Sequence, residues 1–144
     1  MRTGKADVEQ LIQEGRTVQI FPEGYSMYPM LVPGRDEAVI GRADIRKLRR
    51  GAVVLYRRES GILVLHRLVR TDGNGFYAVG DNQTEVEGPL SADQIKGVLT
   101  AFVRKGRYIP VSNPLYRVAA SLWLLLLPVR GKIFKISARL RHIR

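Results

Sequence analysis

Ser26 is the residue through which this chain could do covalent chemistry. A hydroxyl is a poor nucleophile at neutral pH. It needs an adjacent base to take its proton and fixed donors for the oxyanion that forms on its target. Gly24 precedes it by two positions and lets the backbone turn tightly, while Pro29 stiffens the exit. Such a turn would present the hydroxyl and the Ser26 N–H on one side. Serine in a Gly/Pro-flanked turn is common and usually inert, so this signal is weak by itself. His66 reads either as an ordinary strand residue between Leu65 and Arg67 or as a base, because an imidazole with a pKa near 6.5 is largely neutral at neutral pH. Asp81, after Gly80, reads either as a turn aspartate or as the carboxylate that holds a catalytic imidazole by its far nitrogen. The chain has no cysteine and two widely separated histidines, so disulfides and thiolate metal sites are excluded and no metal or cofactor is expected.

The elements that must position these residues are mostly strands. Ala52–Arg57 and Ile62–Val69 are rich in β-branched and aromatic residues, with Glu59-Ser60-Gly61 between them as a hairpin turn. Thr17–Phe21, Glu37–Ile40, Phe76–Val79 and Ile95–Arg104 read as further strands, and Gln83–Pro89 as a loop. Asp7–Glu14 carries Val8, Leu11 and Ile12 at helical spacing before Gly15, a short helix. From Asn113-Pro114 the character changes. Leu115–Leu127 and Lys132–Arg141 read as helices separated by Pro128 and Gly131, the second basic and amphipathic. At 144 residues the chain suits one core. The expected organisation is a mainly β catalytic domain over 1–112, with a short N-terminal helix, and a helical tail over 113–144.

Charge follows the same division. Residues 1–93 hold 13 Lys/Arg and 13 Asp/Glu, whereas residues 94–144 hold 11 Lys/Arg and no acid. A neutral body with a cationic appendage fits this split better than a uniformly basic nucleic-acid domain, and no nucleic-acid recognition motif accompanies the charge. Arg130, Lys132, Lys135, Arg139, Arg141 and Arg144 follow the Leu124–Leu127 run, so the tail reads as an interfacial anchor with Trp123 and the leucines at the acyl boundary. The competing reading is a helix pair packed on the body. The charge-free run Val118–Val129 is twelve residues, short of the roughly 20 a spanning helix needs. The first seventeen residues contain no apolar h-region, so neither a secretory signal nor an N-terminal anchor is expected.

Four blocks in order carry a family resemblance. Gly24-Tyr25-Ser26-Met27-Tyr28-Pro29 resembles the G-x-S-M-x-P segment around the nucleophile of signal peptidases and LexA-type self-cleaving repressors. Arg50-Gly51-Ala52-Val53-Val54-Leu55-Tyr56 is similar to the R-G-D-V-V-x-[FY] strand, with Ala52 in place of the usual Asp. Leu65-His66-Arg67-Leu68-Val69 resembles the H-R-V-[IV] block, and Gly80-Asp81-Asn82-Gln83 the G-D-N-N block. Bacterial signal peptidases and LexA-type proteins place a lysine before the Arg-Val pair, and the endoplasmic-reticulum type places a histidine. No lysine lies between Lys47 and Lys96, so the resemblance implies a Ser26–His66 pair of the latter kind.

The resemblance further implies a LexA/signal-peptidase-like β domain acting as a serine endopeptidase on signal or leader peptides or another membrane-proximal precursor. It places an acid near Asp81, with Glu87 as the alternative. Gly24 stands where signal peptidases have an oxyanion-binding serine, which leaves main-chain donors, Ser26 N–H foremost. Tyr25, Met27 and Pro29 are candidates for the substrate groove, and Trp123, Arg130, Lys132, Lys135 and Arg139 for contact with an anionic membrane surface. A peripheral location at the cytoplasmic face is expected. The alternative is a catalytically inactive peptidase-fold module that binds a membrane surface or a protein partner.

Overall fold

A computed structural model describes residues 5–142. Eight strands form one antiparallel sheet, preceded by a short helix and followed by two more. The expected mainly β fold with an N-terminal helix and a C-terminal helical tail is what the chain adopts.

In chain order the elements are α1 (Lys5–Gln13), β1 (Val18–Ile20), β2 (Asp36–Gly41), β3 (Val53–Arg57), β4 (Leu63–Asp72), β5 (Gly75–Val79), β6 (Glu87–Leu90), β7 (Ile95–Arg104), β8 (Arg107–Pro110), α2 (Pro114–Leu125) and α3 (Arg130–His142). The strand order is β1-β2-β7-β3-β4-β5-β6, with β8 also on β7. The β3–β4 hairpin expected around Glu59-Ser60-Gly61 is present, with Gly61 at φ 93°. One expectation is corrected. The end of Gln83–Pro89 is not loop, because Glu87–Leu90 pairs with β5. Pro89 masks the strand in the sequence, yet β6 closes the sheet on that side, and an edge tolerates a residue that cannot donate. β8 had no signal beyond four residues after the Lys105-Gly106 turn.

The alternation of strand side chains splits the interior in two. Ile12, Met27, Leu31, Ala38, Ile40, Val53, Leu55, Leu99 and Phe102 form one cluster, and Val54, Tyr56, Leu68, Ala78, Leu90 and Ile95 the other. The first cluster bears on the site directly, since Met27 and Leu31 seat the Ser26 turn in the core. Buried Asp36 caps the end of that turn. It accepts from the Val32 N–H at 2.9 Å, from Arg35, and from Arg104 Nε at 2.7 Å. Burial alone would raise its pKa, but these donors hold the carboxyl below its ordinary range.

The tail is docked on the body. Asn113 caps α2 through its side chain, Pro114 opens it, and Tyr116, Ala120 and Leu124 turn inward, Tyr116 against Phe102. A 3-10 turn over Leu127–Val129 carries Pro128 into α3. Arg144 lies outside the described residues.

Candidate active site

The Ser26 turn is built locally. Tyr28 N–H donates to Tyr25 O at 3.1 Å and Leu31 N–H to Met27 O at 2.9 Å, while Gly24 takes φ 74°, a left-handed conformation costly for a side-chain-bearing residue. A second loop, residues 80–83, holds the turn from behind. Asn82 N–H donates to Ser26 O at 2.8 Å, and a Cβ on Gly80 would lie 2.6 Å from that same oxygen. Glycine at position 80 is therefore required by close approach. Among the described residues the Ser26 N–H donates to no protein acceptor, as an oxyanion donor requires.

Ser26 and His66 line one cleft of about 500 Å³, together with Gly24, Met27, Arg58 and Gln83. His66 is paired with Val54 across the β3–β4 ladder. Tyr56, two residues along β3, shares its face of the sheet and meets its ring edge-on, with centroids 5.9 Å apart. The imidazole is buried, and burial depresses its pKa to about 4, against the opposing pull of Glu87. It is neutral at neutral pH.

Which nitrogen carries its proton follows from the neighbours. Tyr56 Oη lies 2.6 Å from Glu87 Oε2 and 3.1 Å from His66 Nδ1. Burial would raise the pKa of Glu87, but Arg58, which donates to both carboxylate oxygens, and the Tyr56 hydroxyl hold it low. Burial and the Glu87 charge raise that of Tyr56, which stays protonated. An ionised carboxylate only accepts, so the single Tyr56 proton goes to Glu87. The Tyr56 oxygen must then accept from His66 Nδ1–H, and Nε2 is left as a bare lone pair. Among the described residues Nε2 has no protein partner. This is the tautomer a general base needs, with a phenol interposed between imidazole and acid.

The expectation that Asp81 orients His66 is corrected by its own contacts. Arg67 donates to both Asp81 oxygens at 2.8 Å, and the two side chains are almost wholly buried. Arg67 also donates to Gly51 O at 2.9 Å and Tyr116 Oη at 3.2 Å. Asp81 thus serves the loop behind Ser26 by compensating a buried guanidinium. Glu87, the alternative acid, reaches His66 through Tyr56.

Two expected membrane contacts turn inward. Trp123 Nε1 donates to Asp81 O at 2.6 Å. Arg130 is fully buried and donates to Gly80 O at 3.2 Å, Gln83 O at 3.0 Å and Trp123 O at 3.0 Å. Desolvation makes a lone guanidinium costly inside a protein, and three carbonyls, with the Trp123 ring 4.9 Å away, offset that cost. Arg130 therefore braces residues 80–83. Lys132, Lys135 and Arg139 are exposed.

The groove candidates divide. Met27 is buried and lines the Ser26–His66 cleft, whereas Tyr25 and Pro29 line a separate cavity with Tyr28, Asn82, Trp123 and Phe134. Tyr56, Arg58 and Gln83 are site residues that sequence reasoning missed. The one available signal was the period of two that puts Tyr56 on the face of β3 shared with His66. Comparison with protein-family models, curated proteins and solved structures finds no match to this chain.

Proposed function

We propose that this protein is a serine endopeptidase in which Ser26 is the nucleophile and His66 the general base. The observation that carries the reading is the Glu87–Tyr56–His66 hydrogen-bond series, which leaves a neutral imidazole with its bare nitrogen available at a cleft that Ser26 also lines. The four ordered sequence blocks support it independently.

In this mechanism Ser26 Oγ attacks the scissile carbonyl as its proton passes to His66 Nε2. The oxyanion is met by the Ser26 N–H, and collapse of the tetrahedral adduct expels the amine, which takes the proton back from His66. Water, deprotonated by the same nitrogen, then cleaves the acyl ester and restores the hydroxyl. As the imidazole becomes cationic, Glu87 stabilises it through Tyr56. The substrate is proposed to be a signal or leader peptide, or another precursor processed at a membrane surface, bound as an extended strand. Supporting this, β5 pairs with β4 only from Arg67 onward, so Leu63–His66 has one unpaired edge among the described residues, beside the cleft.

A fluorophosphonate probe tests the reading directly. Wild type should be labelled at Ser26, located by mass spectrometry of the digest, and Ser26→Ala should not. Labelling elsewhere, or equal labelling of Ser26→Ala, would eliminate Ser26 as nucleophile.

The Tyr56 hydroxyl and Glu87 carboxylate act through His66. Tyr56→Phe removes the acceptor on Nδ1, and Glu87→Gln introduces a donor that leaves the tautomer unforced. Each should slow the chemical step about 100-fold with KM little changed, and the double variant should be no slower than the worse single one. Additive losses in the double variant would mean that the two residues do not act as one series.

A further inference from the structure

We propose that the outward faces of α2 and α3 dock this protein onto a bilayer containing anionic phospholipid, with both helices lying along its surface. The inference does not depend on peptidase activity.

The amphipathicity of α2 is inverted relative to a helix packed on a core. Its inner face carries Tyr116, Ala120, Trp123 and Leu124, already engaged with the body. Its outer face carries Leu115, Val118, Leu122 and Leu125, at spacings of three and four, with Leu115 82% and Leu125 67% exposed. Scattered surface leucines need no explanation, but four aligned on one face, with Leu126 and Val129 exposed just beyond, form a contiguous apolar stripe.

Charge selects the occupant. On α3, Ile136 and Leu140 are exposed on the same face as Lys132, Lys135 and Arg139, by their spacing, and Arg117 is exposed on α2. No acid occurs anywhere in residues 94–144. Helices that present apolar and cationic side chains and carry no acid of their own complement an acyl boundary beneath phosphate headgroups. A second copy of the same face would oppose cation to cation. Among the described residues no helix is long and apolar enough to cross a membrane, so the helices are placed on the surface. Trp123 and Arg130 stay inside the body, and the contact falls to residues the docked tail leaves outward.

Co-sedimentation of the full chain with phosphatidylcholine vesicles, and with phosphatidylcholine–phosphatidylglycerol vesicles, tests this. Wild type should pellet with the anionic vesicles, with affinity at least about tenfold above that for neutral ones and falling with salt. Leu122→Asp/Leu125→Asp, which alters only exposed positions, should lose at least about tenfold in affinity, and Lys135→Glu/Arg139→Glu should lose most of the salt dependence. Wild type remaining in the supernatant, equal binding to both vesicle types, or unimpaired pelleting of the leucine variant overturns the proposal. A dimer dissociated by Leu122→Asp/Leu125→Asp without vesicle binding assigns the face to a second copy and overturns it equally.

Discussion

Replacing Ser26 by alanine, or His66 by glutamine, should lower kcat for a cleavable peptide by about 10⁵- to 10⁶-fold, and replacing both should cost no more than either alone. In the proposed mechanism the two act as one unit. Without Nε2 the Ser26 hydroxyl keeps its proton, and without the hydroxyl the base has nothing to activate in the acylation step. Neither side chain holds the fold by a hydrogen bond that the other would inherit, since Ser26 is held through its carbonyl and His66 through Nδ1. Steady-state kinetics on all three variants, with melting curves to verify folding, provide the measurement. Multiplicative losses in the double variant would show two separate roles and break the proposed mechanism.

The pH profile carries the same chemistry. In the proposed mechanism the base is neutral His66, so activity should be full at neutral pH and fall as pH drops through about 4, well below the 6.5 of a free imidazole. Stability should change with pH in the same direction. The folded-state pKa is depressed, so between about 6.5 and 4 the unfolded chain binds the proton more readily. Stability is then complete above about 6.5 and is lost as pH falls, by roughly 3 kcal/mol at the acid end. An acid limb in kcat/KM near 6.5 would place the working base in water rather than beneath this sheet.

Asp81→Ala should be the most destabilising single change at the site, at about 3–5 kcal/mol. The substitution leaves the Arg67 guanidinium buried with Gly51 O and Tyr116 Oη alone to satisfy it. For a chain of this size the midpoint of thermal unfolding should fall by about 10 °C. Arg67→Met combined with Asp81→Leu should recover much of that loss, because a buried pair contributes little beyond what apolar packing supplies. Glu87→Gln should leave the midpoint nearly unchanged while slowing turnover, which separates the acid that holds the fold from the acid that holds the base. An Asp81→Ala protein within about 0.5 kcal/mol of wild type in urea titration would refute the structural role.

Much of this fold could be read locally. Strands β3, β4 and β7 were legible because β-branched residues alternate and turn residues bound them. Strand β6 was not, since Gly88-Pro89 has the composition of a loop and only pairing with β5 holds it extended. The Ser26 turn and the two-position candidacy of Ser26 and His66 were legible as residue types. The acid was not. Asp81 and Glu87 are both carboxylates a short way past β5, and nothing in their neighbours along the chain says which faces His66.

Short-range forces govern what could be read along the chain: where the backbone turns, which stretches alternate, where α2 begins, and that no acid follows residue 93. Folding alone set which donor meets which acceptor across long separations. Glu87 reaches Tyr56 over 31 residues, and Arg130 reaches Gly80 over 50. The apolar α2 could have buried either face, and periodicity could not choose because both faces are apolar. Packing chose. A buried guanidinium or carboxyl must find its partner in three dimensions or stay in water, and that requirement gave Asp81 to Arg67, kept Arg130 inside and left Tyr56 with Glu87 to set the proton on His66.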